Sequence, residues 1–416
     1  MPPDFTRFNS RAGAITRMTY DHFGPALTDI LPALGTHVPM PSHQIRKMYA
    51  GVPEDLFRVH DWRNEVVTVG TLEPAFVRQV SDGIYEKPWP AQLNKLIWEG
   101  GHDLILSIGQ VVPHEVTGMA NHAKNLFVGC GGKAGIDESH FVGAAYGMEK
   151  MMGRADTPTR RLLNEALKRF CGHLDIVFVL TVVGAAAPGE TADPHGLVTR
   201  GLFIGSGTDC FEQACKLSLE VNFKLVEEEF DTVVCYLDPE EFHTTWLGNK
   251  AVYRTRMAIR TGGELIVLAP GLRGFGEDPG IDALIRKYGY RTTPEIMAAV
   301  RTSCCRKASR PSDRTTPEIM AAVRSQPDLA GNLSAAAHLI HGSSEGRFKV
   351  TYCTDPAKVS RAEIEGVGYQ WAPLDTMLQR FDPSRLTTGW NQVEGRKIYN
   401  ISNPALGLWA FKGRFQ

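Results

Sequence analysis

Three side chains of different chemistry, His114, Lys124 and His140, stand within the segment VVPHEVTGMANHAKNLFVGCGGKAGIDESH, among glycines that let backbone approach a ligand. The segment reads as a cofactor-binding loop. Upstream, DFTR places Asp4, Thr6 and Arg7 near the first residue, and GTHVP places His37 after a short apolar run. Arg7 offers a bidentate fork to a substrate carboxylate, and Asp4 is suited to orient a histidine or the arginine itself. Each group has a plainer explanation when taken singly. The chain holds thirteen histidines, most of which need only be hydrogen-bonded structural residues, and DFTR alone is equally a solvated ion pair. The spacing of the whole set is what argues for one active site. A zinc hydrolase built on His114, His122 and His140 is less attractive, because HExxH or a comparably compact ligand pattern is absent.

The elements that must position these groups are α/β in pattern. Apolar runs bounded by glycine, proline or charge (VVTVG near Val66, DLILSIGQVV near Leu104, DIVFVLTVVG near Val177, GLVTRGLFIGS near Leu202) alternate with amphipathic stretches. That alternation predicts two α/β domains with largely parallel sheets and an active-site cleft between them. His114 directly follows the run ending at Val112, where such proteins place ligand-binding loops. DCFEQACKLSLEV predicts a helix that buries Phe211, Ala214, Cys215 and Leu219. The boundary is expected near Val226, giving an N-terminal catalytic and cofactor-attachment domain over 1–226 and a second α/β domain over 227–394. The apolar C-terminal segment 395–416 is expected to dock back on the first domain. In the second domain a helix over Thr245–Ile259 would set Lys250 and Arg254 at i and i+4, either closing over an anionic substrate or forming an exposed basic face.

Composition restricts the ligand. With 416 residues, 43% hydrophobic and a formal net charge of −1, the chain is globular, long enough for two domains, and without the basic footprint of nucleic-acid or membrane binding. No apolar stretch is long enough to span a bilayer and no signal-peptide core is present, so a cytoplasmic protein with a small-molecule ligand is expected. The eight cysteines lack CxxC spacing and read as reduced, mostly buried thiols. GSGTDCF near Gly205 lacks the GxGxxG fingerprint of a dinucleotide site. RTTPEIMAAVR occurs identically at Arg291–Arg301 and Arg314–Arg324, a local duplication near 291–324 expected to be a surface excursion with Cys304 and Cys305 exposed.

The set Asp4, Thr6 and Arg7 in DFTR, His37 in GTHVP, His114 and Lys124 in PHxxxGxxxxxK, and His140 resembles the nickel-pincer lactate racemase family of 2-hydroxyacid racemases and epimerases. The likeness runs in order through most of the chain. It implies a nickel-pincer nucleotide (pyridinium-3,5-bisthiocarboxylic acid mononucleotide nickel) joined covalently to Lys124, with His140 as nickel ligand and with Asp4, Thr6 and Gly118 near the cofactor. His37 and His114 would be paired bases, and Arg7, Lys250 and Arg254 would face substrate. Removing the 2-hydrogen as a proton would put a carbanion beside a carboxylate. Its removal as a hydride, while a histidine takes the hydroxyl proton, leaves a planar 2-keto acid that can be reduced on either face.

PPDFTRFNS, LGTHVPM and VHDWRN resemble a sugar-acid subgroup, which implies epimerisation between D-gluconate and D-mannonate, with Asn9, Ser10, His43 and Trp62 as polyol contacts. Lactate or another short 2-hydroxyacid is the alternative substrate. A nicotinamide-dependent sugar-acid oxidoreductase and a non-catalytic sugar-acid binding homologue are the alternatives of other classes. The expected partners are a 2-hydroxyacid and the cofactor-biosynthesis enzymes. The family places a strand before DxTR, so the natural gene is expected to start upstream of Met1.

Overall fold

The computed structural model describes residues 10–187, 189–194, 196–291 and 332–415. Asp4, Thr6, Arg7 and Asn9, and the duplicated segment beyond Arg291 with Cys304 and Cys305, lie outside the described residues. The chain divides into two compact units, Met1–Asn222 and Phe223–Gln416.

In the first unit the strand Ile105–Gln110 pairs in parallel with Ile176–Ala185, which pairs antiparallel with Leu197–Gly205. Ile176–Ala185 is the middle strand, and Phe178, Leu180, Val182 and Val183 are at most 1% exposed. That near-continuous apolar run is what covering on both faces demands. Helix Asp209–Asn222 packs on the last two strands and buries Cys210, Phe211, Ala214, Cys215 and Ser218, while Leu219 is half-buried. A separate antiparallel pair, Val66–Leu72 with Trp89–Asn94, carries the side chains that hold the functional segment.

The second unit is built on a six-stranded sheet with spatial order Gln370–Pro373, Lys349–Thr354, Ile259–Leu268, Phe230–Tyr236, Arg396–Ile401, Gly389–Val393. All neighbours are parallel except the last pair. Several of its helices start on side-chain caps. Asp278 accepts from the Gly280 and Ile281 amides, and Ser360 with Glu363 forms a capping box. Among the described residues six cysteines are free and all are buried, and no helix is long and apolar enough to cross a membrane.

Two expectations need correction here. The C-terminal segment, expected on the first domain, belongs to the second unit: Tyr399, Asn400 and Ile401 pair with Val233, Val234 and Cys235, and Leu408–Phe411 pairs with Phe223–Val226. The helix expected over Thr245–Ile259 is two short helices, Thr245–Gly248 and Lys250–Thr255, and Ile259 already begins a strand. Asn249 sits at the break between them, and its side-chain Oδ1 accepts from the Tyr352 and Tyr369 hydroxyls at 2.8 and 3.0 Å. A side-chain oxygen committed to two buried phenols fixes that residue where a solvent-facing helical position would leave it free.

Ile398, 2% exposed, packs in one cluster with Val234, Ile266, Leu268 and Cys353. Ile398→Ala is therefore expected to destabilise the second unit by about 2–5 kcal/mol. Urea unfolding measures this, and a loss below about 0.5 kcal/mol, the size of a surface substitution, would mean the C-terminal strand is not part of that core.

Candidate functional site

The segment from Pro113 to Tyr146 is a relay of short, unusual elements, each forced by a close contact. Pro113–His114 and Gly118–Met119 form a minimal antiparallel hairpin. Gly118 has φ +78°, and a Cβ there would lie 2.0 Å from the Arg154 carbonyl oxygen. Its glycine requirement comes from neighbouring backbone, so Gly118, expected at the cofactor, is accounted for by packing. Asn121 and His122 both take left-handed backbone, with φ 71° and 57°. Asn121 tolerates this because its side-chain oxygen accepts the His122 amide at 2.7 Å. Lys124 then opens a π-helical turn, Asn125–Gly129, a form concentrated at functional sites. After Cys130–Gly132 the chain enters helix Lys133–Tyr146, which carries His140.

Three groups of this relay share one electrostatic neighbourhood. The half-buried Lys124 has its ammonium desolvated enough to push its pKa down to about 8, against a smaller upward pull from Glu115 and a downward push from Arg160. Among the described residues no carboxylate forms an ion pair with its Nζ. His140 is also pushed down, first by burial, and it feels Lys124 and Glu115. Its Nδ1 is 2.8 Å from the Ile136 carbonyl oxygen, which can only accept, so Nδ1 carries the proton and Nε2 keeps its lone pair. A neutral imidazole tied at one nitrogen and open at the other is the usual form of a metal-ligating histidine.

His114 is half-buried, and its Nδ1 accepts from the Val116 amide at 3.1 Å and the Thr117 amide at 3.4 Å. In that state Nε2 holds the proton and is a donor. Glu115 Oε2 lies 3.9 Å from the same Nδ1, close enough to interact electrostatically with a protonated ring and too far for a hydrogen bond. Glu115 was not among the candidates read from the sequence. Its position directly after a candidate base was the only signal available.

His37 is half-buried in a loop fixed to the same relay. The Gly35 amide donates to the Gly129 carbonyl at 2.7 Å, and a Cβ on Gly129 would meet the Ala33 methyl at 2.8 Å. The His37 loop thus rests on the turn that Lys124 begins.

Arg160 is the other residue sequence reasoning missed. It is 2% exposed, donates to the Asn121 carbonyl at 3.0 Å and to that of Met119, and lies over the Phe211 ring at 4.4 Å. Burial lowers its pKa to about 10. The guanidinium therefore ties the hairpin to the left-handed pair that leads into Lys124. His122 is structural. Its Nε2 donates to Gly207 O at 3.2 Å, its ring packs on Phe178 and Phe211, and burial drives its pKa down to about 3. Among the described residues no three His, Cys, Asp or Glu side chains converge to hold a metal, so the three-histidine zinc arrangement is not formed.

Other expected ligand groups are turned elsewhere. In GCGGKAG the Ala134 and Gly135 amides are taken by Gln92 Oε1 at 3.0 and 3.3 Å. Ser10 is fully buried and caps the Ala12 amide, His43 is exposed, and Trp62 is covered by the Arg63 guanidinium at 3.7 Å. In the second unit Lys250–Thr255 is buried along its whole length, so the basic face expected there is not exposed. Arg254 donates to the Ala405 and Gly407 carbonyls at 2.7 and 3.3 Å.

No known protein-family model matches the chain, and no curated protein matches it significantly. Solved structures do. A lactate racemase apoprotein from Thermoanaerobacterium thermosaccharolyticum aligns over 98% of this chain and 84% of its own, with TM-score 0.62 and 16% identity. The chain has the lactate racemase fold. A Thermotoga maritima protein solved by a structural genomics consortium aligns over 92% of this chain and 85% of its own, with TM-score 0.70 and 22% identity. The two-domain α/β class expected from the alternation of apolar runs is the class of the lactate racemase fold.

The depressed pKa of Lys124 has a direct consequence in the cofactor-free protein. Acylation at Lys124 is expected to rise with a midpoint near its pKa of about 8, where ordinary lysines are still protonated. Peptide-level mass spectrometry across a pH series reads this, and a midpoint at about 10.4 would show that the ammonium is not desolvated.

Proposed function

We propose that the protein is a 2-hydroxyacid racemase or epimerase that uses a nickel-pincer nucleotide attached at Lys124. The observation that carries this reading is the joint state of Lys124 and His140: a lysine with lowered pKa beside an imidazole whose Nδ1–H is committed to the Ile136 carbonyl. These residues fit the group. An uncharged amine is the form that can be acylated, and one open imidazole nitrogen is a suitable donor to nickel whose other donors come with the pincer.

When bound, the group supplies an electrophilic hydride acceptor. The protein's own side chains handle the proton. To take the substrate hydroxyl proton at Nε2, His114 must give up the Val116 and Thr117 amide bonds and carry its proton on Nδ1, and Glu115, 3.9 Å from Nδ1, stabilises the resulting imidazolium electrostatically. In its other tautomer, held by the Val116 and Thr117 amides, the same Nε2–H donates to the oxygen of a 2-keto acid. His37 is the second base, serving the opposite configuration. Arg7, by residue type, takes the carboxylate, and Asp4 and Thr6 are assigned to the cofactor on the sequence resemblance.

For the substrate, D-gluconate rests on the form of the N-terminal sequence alone. Lactate or another short 2-hydroxyacid has a fold neighbour of that activity in its support and is at least as well founded. Both belong in the assay.

The test is coexpression with the pincer-biosynthesis enzymes, followed by intact-mass and nickel analysis and by assay on D- and L-lactate and D-gluconate. A mass adduct mapped to Lys124 with bound nickel is expected, Lys124→Ala should lose both, and a folded wild-type chain that stays unmodified and nickel-free would overturn the reading. Glu115→Gln should keep the adduct but lower kcat at least about tenfold, as loss of a carboxylate that stabilises an imidazolium does. Unchanged turnover would remove Glu115 from the mechanism.

A further inference from the structure

Between the turn that starts at Lys124 and the helix that carries His140 lies the junction Cys130–Gly132, and a buried histidine outside the motif grips it. His60 is 2% exposed. Its Nε2 is 3.0 Å from the Gly131 carbonyl oxygen, and its Nδ1 is 2.9 Å from Asn94 Nδ2. A carbonyl accepts and an amide nitrogen donates, so the tautomer is set as Nε2–H with a lone pair on Nδ1. Both ring nitrogens are thereby satisfied, and burial lowers the pKa to about 4, keeping the ring neutral near pH 7.

Asn94 completes the grip. Its main-chain amide donates to the Cys130 carbonyl at 2.8 Å, and its side-chain oxygen accepts the Leu96 amide at 2.9 Å. The same strand, Trp89–Asn94, reaches the far side of the junction. Gln92 takes the Ala134 and Gly135 amides, and Trp89 Nε1 donates to the Gly135 carbonyl at 3.1 Å. Cys130 and Gly131 on one side of the junction and Ala134 and Gly135 on the other are therefore clamped by one strand and one histidine. There is no slack at the centre, since a Cβ on Gly131 would lie 1.9 Å from the Phe127 carbonyl oxygen.

We infer that His60, through Asn94 and the Gly131 carbonyl, is a positioning residue that fixes the separation between Lys124 and His140. The inference rests on the proposed function for its consequence, because that separation matters only if one residue anchors a group that the other must ligate. Its structural half stands without the cofactor. His60 touches neither substrate nor cofactor; it acts through the junction, as outer partners of metal ligands do.

The test uses His60→Leu, which removes both hydrogen bonds, and His60→Gln, whose side-chain amide can again donate to Gly131. In the cofactor-free protein, amide hydrogen exchange over 130–135 should quicken in His60→Leu and return towards wild type in His60→Gln, with the helix Pro158–Phe170 unaffected in both. In protein coexpressed with the biosynthesis enzymes, the Lys124 adduct should form to a similar extent in all three. Nickel retention should fall about ten- to a hundredfold in His60→Leu, the range for loss of an outer-shell partner, with loss of the imidazole signature in nickel X-ray absorption.

Unchanged exchange in His60→Leu overturns the clamp whatever the cofactor does. Loosened exchange with wild-type nickel retention and an intact imidazole signature overturns the positioning role alone. A wild-type chain that carries no adduct overturns the proposed function, and with it the positioning role, while the exchange result still decides whether the clamp exists.

Discussion

The constraint on which the first unit's candidate site depends is the close approach of backbone to backbone at Gly131. The chain leaves a π-helical turn and enters an α-helix within three residues, and the only space for that reversal is the volume a side chain would otherwise fill. Two glycines in succession make the turn possible, and their conformational freedom then has to be removed. His60, Gln92, Asn94 and Trp89 remove it by hydrogen bonding. The glycines at this junction, which read in sequence as open to a ligand, are close-packed against the protein's own backbone and side chains.

How much of this could be read in the sequence differs by element. Strands at Ile105–Gln110 and Ile176–Ala185 were legible because each lies in an apolar run bounded by charge or glycine. Lys124 and His140 were singled out through the motif resemblance, and the structure brings them into one electrostatic neighbourhood. Glu115 and Arg160 were not, and the place of His60 in VHDWRN gave no sign of its hydrogen-bond partners. A carboxylate beside a histidine and an arginine on an amphipathic helix have no distinguishing pattern. Their meaning arises only when the hairpin, the left-handed Asn121–His122 pair and the junction carbonyls are brought against them.

The charges of the second unit show the opposite failure. Lys250 and Arg254 have the spacing of a solvent-facing or substrate-facing pair, yet both are buried, and Arg254 is matched by the Ala405 and Gly407 carbonyls. Arg160 repeats the device in the first unit with the Met119 and Asn121 carbonyls and the Phe211 face. Periodicity records which residues share a helix face. It does not record that a guanidinium, with five fixed donors and weak hydration, can serve as backbone glue in the interior.

Burial also sets a direction for the site's chemistry. Lys124 has its pKa lowered to about 8 from 10.5, so the folded state opposes the ammonium. The sign follows from linkage: the unfolded chain binds that proton more tightly, so Lys124 weakens the fold below about pH 8, and this penalty is relieved as the pH rises from there towards the unfolded value. Any reaction that turns the amine into a neutral acyl derivative removes the penalty permanently at neutral pH. The Glu115 carboxylate pulls the other way on both Lys124 and His140, raising their pKa values against burial, and its Oε2 lies 3.9 Å from His114 Nδ1.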